Sequence, residues 1–214
     1  MPPKKYHHGD LKNALITAGI EILSKEGIDG LSLRNVAKRA GVSHSAPYAH
    51  FKDRQSLIAA ISTEGFKQLY DQLNTAMATY EADPKQQLIE AAWAYILFAM
   101  NNTDTFKIMF SGILEKEKDY PSFVEFSGKT FELVVDLVRV CQEAGVLRPQ
   151  PAELIAVSLW GQVHGIVSLA LEGQISHTVL DRFTIRDILL FAIDQMSIEK
   201  TPSESRSRRQ KLIR

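Results

Sequence analysis

Apolar residues recur along this chain at the spacing of an α-helix and almost nowhere at the spacing of a strand. Leu11, Leu15, Ala18 and Ile22 fall at i, i+4, i+7 and i+11, which places them on one face of a helix over roughly residues 9–26. Gly27 and Gly30 end it. Ser32 then stands where an N-cap belongs, ahead of Leu33, Val36, Ala37 and Ala40. Gly41 closes that short helix, and Ser43 caps a third, predicted over 44–50. A fourth is predicted from about 54 to 80. Pro84, Pro121 and Pro151 each sit where a first helical turn can accept a residue without an N–H. The segments they introduce are predicted helices over roughly 85–100, 104–111, 121–144, 152–172 and 182–198. No stretch of more than a few residues alternates apolar and polar, so the expected class is all-α, without a sheet.

A chain of 214 residues, 45% hydrophobic and 23% charged, has ordinary globular composition. It is long enough to bury about 70% of its unfolded surface without disulfide or metal staples. The single Cys141 cannot close an internal disulfide, which fits a reducing cytoplasm. No apolar run follows the basic residues of MPPKKYHHGDLK, so no secretory signal is expected. The longest uncharged run, Leu154 to Leu171, contains two Ser, two Gly, a Gln and a His. It reads as a buried helix rather than a membrane span.

Formal net charge is zero, but its distribution is uneven. Residues 1–60 carry +4 and four of the six histidines, residues 61–198 carry −8, and residues 199–214 carry +4. A basic head on an acidic body is the asymmetry expected when one end of a protein meets phosphate. A solvated charge run explains the tail, TPSESRSRRQKLIR, equally well, and that tail is expected to fray.

The stretch VAKRAGVSHSAPYAHFKDRQSL, Val36 to Leu57, reads as a helix, a tight turn and a second helix. Ala37 is small where two helices cross, Gly41 supplies a left-handed turn residue, and Val36, Ala40 and Val42 can form the apolar seam. Such a unit lays its second helix in the DNA major groove while the first crosses the backbone. An ordinary αα-corner has the same local pattern. The wider segment YHHGDLKNALITAGIEILSKEGIDGLSLRNVAKRAGVSHSAPYAHFKDRQSLIAAI resembles the DNA-binding head of the TetR family of one-component bacterial transcriptional regulators. YHHGDL, the two glycines before LSLRNVA, AGVS at the turn, and YAHF followed by Lys agree together. The resemblance covers roughly residues 6–61. Pro47 departs from the usual Leu, Ile or Val before Tyr48, and because proline donates no backbone hydrogen bond the second turn of the recognition helix is expected to be altered.

The resemblance implies an all-helical homodimer. Each three-helix head, residues 1–55, would enter half of a near-palindromic operator. A larger helical domain, residues 56–198, would dimerise and bind a small effector that releases the DNA, and residues 199–214 would form the basic tail. Ser32 and Arg34 open the helix expected across the backbone, where hydroxyl, helix N-terminus and guanidinium can meet phosphate. His44, Ser45 and Ala46, after the capping Ser43, are the candidates for base edges. Tyr48, His50 and Lys52 match the family's phosphate-clamping positions, with a packing role open for His50. Lys4 and Lys5 are either a groove-reaching arm or a disordered one. Most members repress; activation, or regulation without a ligand, is the alternative reading.

Residues 93–131 hold nine of the eighteen aromatics. Core packing explains any one of them. Together, Trp93, Phe98, Phe106, Met109, Phe110 and Phe126 suggest the lining of an apolar effector cavity. SLWGQVHGIVSLALEG, residues 158–173, resembles a family C-terminal type marked by Trp160 and His164-Gly165. Trp160 and His164 are four apart and share a face. His164 can face the effector or sit in the core. Ser158, Gly161, Gly165 and Ser168 follow Leu154 as a stripe of small residues, and glycine inside a helix costs about 1 kcal/mol relative to alanine. Close helix approach justifies that cost. In the family's four-helix dimer bundle this helix would pair with one over 182–198 whose Leu189 and Ala192 face inward. No phosphate loop, metal-ligand spacing or nucleophile elbow is present, so no enzyme, cofactor or metal is expected. The expected partners are operator DNA, an effector and a second copy of the chain, not a membrane.

Overall fold

The computed structural model describes residues 8–114 and 116–197. Lys4, Lys5 and the basic tail lie outside them. In chain order the helices are α1 (His8–Gly30), α2 (Leu33–Ala40), a 3-10 turn (Ala46–Ala49), α3 (Arg54–Thr79), α4 (Pro84–Asn101), α5 (Thr103–Met109), a 3-10 turn (Glu117–Asp119), α6 (Pro121–Glu143), α7 (Ala152–Leu171), α8 (His177–Leu180) and α9 (Ile185–Met196). No strand occurs among the described residues; an isolated antiparallel bridge joins Leu147 and Ser197. The fold is all-α, as the periodicity predicts. Pro84 and Pro121 are first helical residues and Pro151 precedes α7. The short α8 lies in a stretch the apolar spacing left as loop.

The chain packs as two compact units. Of the described residues, the first comprises those from 8 to 76 and from 94 to 133, so the described part of residues 1–55 shares it with most of α3, the end of α4, all of α5 and the start of α6. Leu15, Ile22, Leu31, Val36, Phe51, Leu57, Ile58, Ile61, Ile96 and Phe98 are among its fully buried residues. Three of the four residues of the α1 stripe, Leu15, Ala18 and Ile22, are buried. Arg39 of α2 ties back to α1 through Glu26 at 2.9 Å and Glu21 at 3.5 Å.

The second unit comprises, of the described residues, 77–93 and 134–197. Val135, Leu137, Val138, Cys141, Leu147, Ala156, Val167 and Leu189 fill its core. Burial pushes the Cys141 thiol up to about 12, so it is a packed, unreactive thiol. Helix α9 opens with a reciprocal cap. Thr184 Oγ1 accepts the Asp187 N–H, and the Asp187 carboxylate accepts the Thr184 N–H at 2.8 Å. The Thr184 hydroxyl, which donates to the same carboxylate at 2.7 Å, and the Thr184 N–H hold the Asp187 carboxyl below its usual range. Arg186 lies over the Trp93 ring at 5.1 Å and bonds Glu90, which fixes α9 to α4.

Candidate nucleic-acid interface

The helix-turn-helix is built around Gly41. Its backbone is left-handed (φ 69°, ψ 31°), a conformation that strains residues with a Cβ. There the Gly41 N–H donates to the Lys38 carbonyl and the Val42 N–H to the Ala37 carbonyl at 3.0 Å, the paired bonds of a Schellman stop. Val36 and Ala37 are wholly buried. At the other end of α2, Ser32 Oγ accepts the Asn35 N–H at 3.1 Å, and the Asn35 side chain donates to the Gly30 carbonyl at 2.8 Å. Ser32 is therefore an N-cap whose hydroxyl proton stays free to donate. Arg34, exposed in the first turn of α2, has no ion-pair partner among the described residues.

The recognition element is shorter than the seven residues predicted. It is a single 3-10 turn, Ala46–Ala49. Ala46, Tyr48 and His50 each donate three residues back, to Ser43, Ser45 and Pro47. Pro47 has no N–H to offer the Ser43 carbonyl, which takes the Ala46 N–H at 3.0 Å instead. Pro47 itself is buried, as is Phe51, so one side of the turn is an apolar anchor. The other side faces water. Ser43, His44, Ser45, Tyr48, Ala49 and Lys52 are exposed, Tyr48 by 61%. The Ser43 and Ser45 hydroxyls bond each other at 3.1 Å. Lys52 Nζ sits 4.0 Å from the Asp53 carboxylate and remains largely solvated. Ala46 and His50 are half-buried. The His50 ring lies 6.4 Å from Phe51, and its Nε2 is buried without a hydrogen-bond partner among the described residues.

Arg54 is a residue that sequence reasoning missed. From the first residue of α3 its guanidinium donates to the Leu31 carbonyl at 2.8 Å and to the Ile28 carbonyl. One carbonyl is in the last turn of α1 and the other in the turn just beyond it, so Arg54 locks the turn before α2 to the helix after the recognition element. An arginine at a predicted helix start carries no signal that distinguishes this from a solvated charge.

The aromatic candidates divide between the units. In the first, Phe98, Phe106 and Met109 are buried and Phe110 half-buried. Tyr95 meets Phe106 edge-on at 5.6 Å, and Phe106 meets Phe110 at 4.9 Å. Phe66, outside the aromatic-rich segment, joins them at 5.4 Å from Phe110. Phe126 is half-buried beneath the Lys67 and Lys129 ammonium groups, at 4.9 and 5.1 Å. Trp93 and His164 belong to the second unit. There the Trp160 and His164 rings are 6.0 Å apart, and desolvation holds the His164 pKa below its usual value.

Helix α7 buries Ala152, Ala156, Leu159, Val163 and Val167, and it packs on α9. The line through Leu154, Ser158, Gly161, Gly165 and Ser168 is on the opposite side. Leu154 is 65% exposed, and a Cβ at Gly161 or Gly165 would meet no described atom within 4 Å. On α9, Leu189 is wholly buried inside the unit, Ala192 is half-buried, and Phe191 is 69% exposed. The open face of α9 therefore runs through Phe191, not Leu189.

Comparison with known proteins agrees with this geometry. Residues 15–61 match the family model for bacterial regulatory proteins of the tetR family, and residues 88–192 match that for the tetracyclin repressor-like C-terminal domain. The HTH-type transcriptional regulator YobS of Bacillus subtilis is 25% identical over 114 residues, which are 53% of this chain and 59% of YobS. The match thus spans less than two thirds of that relative's length. A solved protein of unknown function from Rhodococcus sp. RHA1 is 33% identical, with a TM-score of 0.78 over 91% of this chain and 97% of its own. The regulator PfmR from Thermus thermophilus shares the fold at 18% identity, with a TM-score of 0.63 over 85% of this chain and 96% of its own. With a helix-turn-helix head and a C-terminal body that both match, the chain belongs to the tetR family of DNA-binding bacterial transcriptional regulators.

Proposed function

We propose that the chain is a cytoplasmic, homodimeric repressor. Residues 1–55 of each subunit take one half of a near-palindromic operator, and a small apolar or aromatic effector bound in residues 56–198 releases the DNA. The carrying observation is the outward side of the recognition turn: His44, Ser45, Tyr48 and Lys52 project to solvent from a buried Pro47–Phe51 anchor. A rigid turn that exposes imidazole, hydroxyl, phenol and ammonium has the donors a duplex requires. His44, Ser45 and Ala46 read base edges. Ser32 and Arg34 at the start of α2, with Ser43, Tyr48, His50 and Lys52, hold phosphates and set the register.

Helix α7 supports the dimer. It has no charge from Leu154 to Leu171 yet buries only one side in its own subunit. By length and composition alone it could cross a bilayer, but a helix already packed on α9 and lined with small residues suits close contact with a second helix pair. A second copy covers Leu154, Ser158, Gly161, Gly165 and Ser168, with Ala192 and the newly apparent Phe191 from α9, through a twofold interface in which each surface meets itself. The Tyr95–Phe106–Phe110–Phe66 cluster, with Phe98 and Met109, supports an apolar effector, for which soft, edge-to-face rings are suitable walls.

Selection from a random duplex pool tests this reading. Enriched sequences are expected to be inverted repeats with half-sites centred about 34–36 Å apart, or a multiple of that. One such repeat placed over a reporter promoter should lower its output. A pool that returns only unpaired single motifs, or none, refutes the dimeric repressor.

A further inference from the structure

The first unit contains a triangle of helices in which two sides meet at a glycine, where an added methyl would force a neighbouring side chain to move. Helix α1 packs on α5. Where α1 meets α3, a Cβ on Gly19 would lie 2.8 Å from Ile61 Cδ1. Where α3 meets α5, a Cβ on Gly65 would lie 2.4 Å from Met109 Sδ and 3.0 Å from Thr105 Cγ2. Gly65, Thr105 and Met109 are all buried, so α5 has no slack toward solvent at this contact. One turn before Gly65, Ser62 is 1% exposed and its hydroxyl has no partner among the described residues. A bare hydroxyl in a core is a cost, and here it keeps this face of α3 small. Further along the same contact, the Gln55 side chain donates to the Ile113 carbonyl just beyond α5 at 3.1 Å. Helix α5 thus touches the head helix α1 and grips the connecting helix α3, while its Phe106 and the following Phe110 belong to the aromatic cluster.

From this we infer that Gly65 is a positioning residue for DNA binding. It seats Met109 of α5 on α3 at the one separation that holds α1, and with it the head, in the operator-competent position. The inference rests on the repressor reading and adds the side chain that fixes the resting state. A methyl at Gly65 must displace the Met109 thioether and the Thr105 methyl, and because these positions are buried in a close-packed interior, the displacement is passed to α5 and to α1, which packs on it. The two heads of a dimer then present the wrong spacing to paired half-sites, while each head keeps its own phosphate contacts.

The test compares the operator with a scrambled duplex of equal length, by fluorescence anisotropy at fixed salt, for the full-length protein. Wild type must first prefer the operator; if it binds neither duplex, it is the regulator reading that fails. Gly65→Ala, verified as folded by circular dichroism and thermal melting, is expected to bind the operator at least tenfold more weakly and the scrambled duplex as wild type does. Gly65→Ala combined with Met109→Ala makes room for the added methyl and should recover operator preference to within threefold of Met109→Ala alone. Met109→Ala alone empties the seat and should change operator preference at least threefold; it decides the matter should Gly65→Ala not fold. Unchanged preference in folded Gly65→Ala, absence of rescue in the double variant, or an unaltered Met109→Ala each overturns the inference.

Discussion

Phe191 is the sharpest probe of the proposed dimer. It sits on α9 with 69% of its surface in water, beside a helix whose apolar outer side is also uncovered. Full burial of a phenylalanine is worth about 1.5–3 kcal/mol relative to exposure. Covering the exposed two-thirds therefore contributes roughly 1–2 kcal/mol, and a twofold interface counts the residue twice. Phe191→Ala should weaken the dimer by roughly 2–4 kcal/mol, about 30- to 1,000-fold in dissociation constant. The subunit loses little by the change, because the ring packs on little of its own chain, so its own stability should move by less than about 0.5 kcal/mol. Sedimentation velocity across a dilution series gives the dissociation constant, and a denaturant melt at low protein concentration gives the subunit's stability. An unchanged dissociation constant would place the interface off this face. A large loss in subunit stability would show that the ring packs internally.

Three further outcomes concern the head and His164. Lys52→Ala should weaken binding to every duplex and flatten the dependence of log affinity on log salt by about 2 for the two copies in a dimer; titrations at several salt concentrations read it. Arg54→Ala removes two bonds to carbonyls at the end of α1 and in the turn that follows it. A bond from a charged group is worth about 1.5–3 kcal/mol when fully shielded and less at this partly exposed site, so the denaturation midpoint should fall. Operator binding should weaken with it while the salt dependence stays that of wild type, because this guanidinium is spent on the protein's own backbone. Desolvation depresses the His164 pKa in the folded chain, so between that value and about 6.5 the unfolded chain binds the extra proton. Stability is then full above that window and falls as pH drops through it, and thermal melts from pH 7.5 to 5 should show a smaller decline for His164→Gln.

The helices were legible because their apolar residues obey one period and their ends are marked by proline, glycine and capping hydroxyls. Leu15, Ala18 and Ile22 are buried as that period requires, and α4, α6 and α7 begin at or beside their prolines. The recognition turn was legible in kind but not in form. Proline before Tyr48 signalled a missing N–H, yet only the fold shows the Ser43 carbonyl taken by Ala46 and the helix reduced to four residues. Arg54, Phe66 and Phe191 stayed hidden for a common reason. Each is defined by what it meets or fails to meet far along the chain, and spacing within a helix carries no record of that.

Helix α7 shows where periodicity stops being informative. An amphipathic helix announces its buried side by contrast with its polar one. Leu154–Leu171 has no charged side, so its composition says that the whole circumference is buried and nothing about by what. The fold resolves half of that. Ala156, Leu159, Val163 and Val167 are covered from within the subunit, and Leu154, Ser158, Gly161, Gly165 and Ser168 are left over. The leftover side mixes Leu154, Val157 and Leu169, each at least half exposed, with the small Ser158, Gly161, Gly165 and Ser168. Small residues recover little energy by burying area, but they let backbones approach, and that favours a helix from another copy over lipid or a bulky ligand. On the proposed dimeric reading, the same reasoning places the helix-weakening glycines at 161 and 165 against the second copy, since no described residue of the chain itself crowds either one.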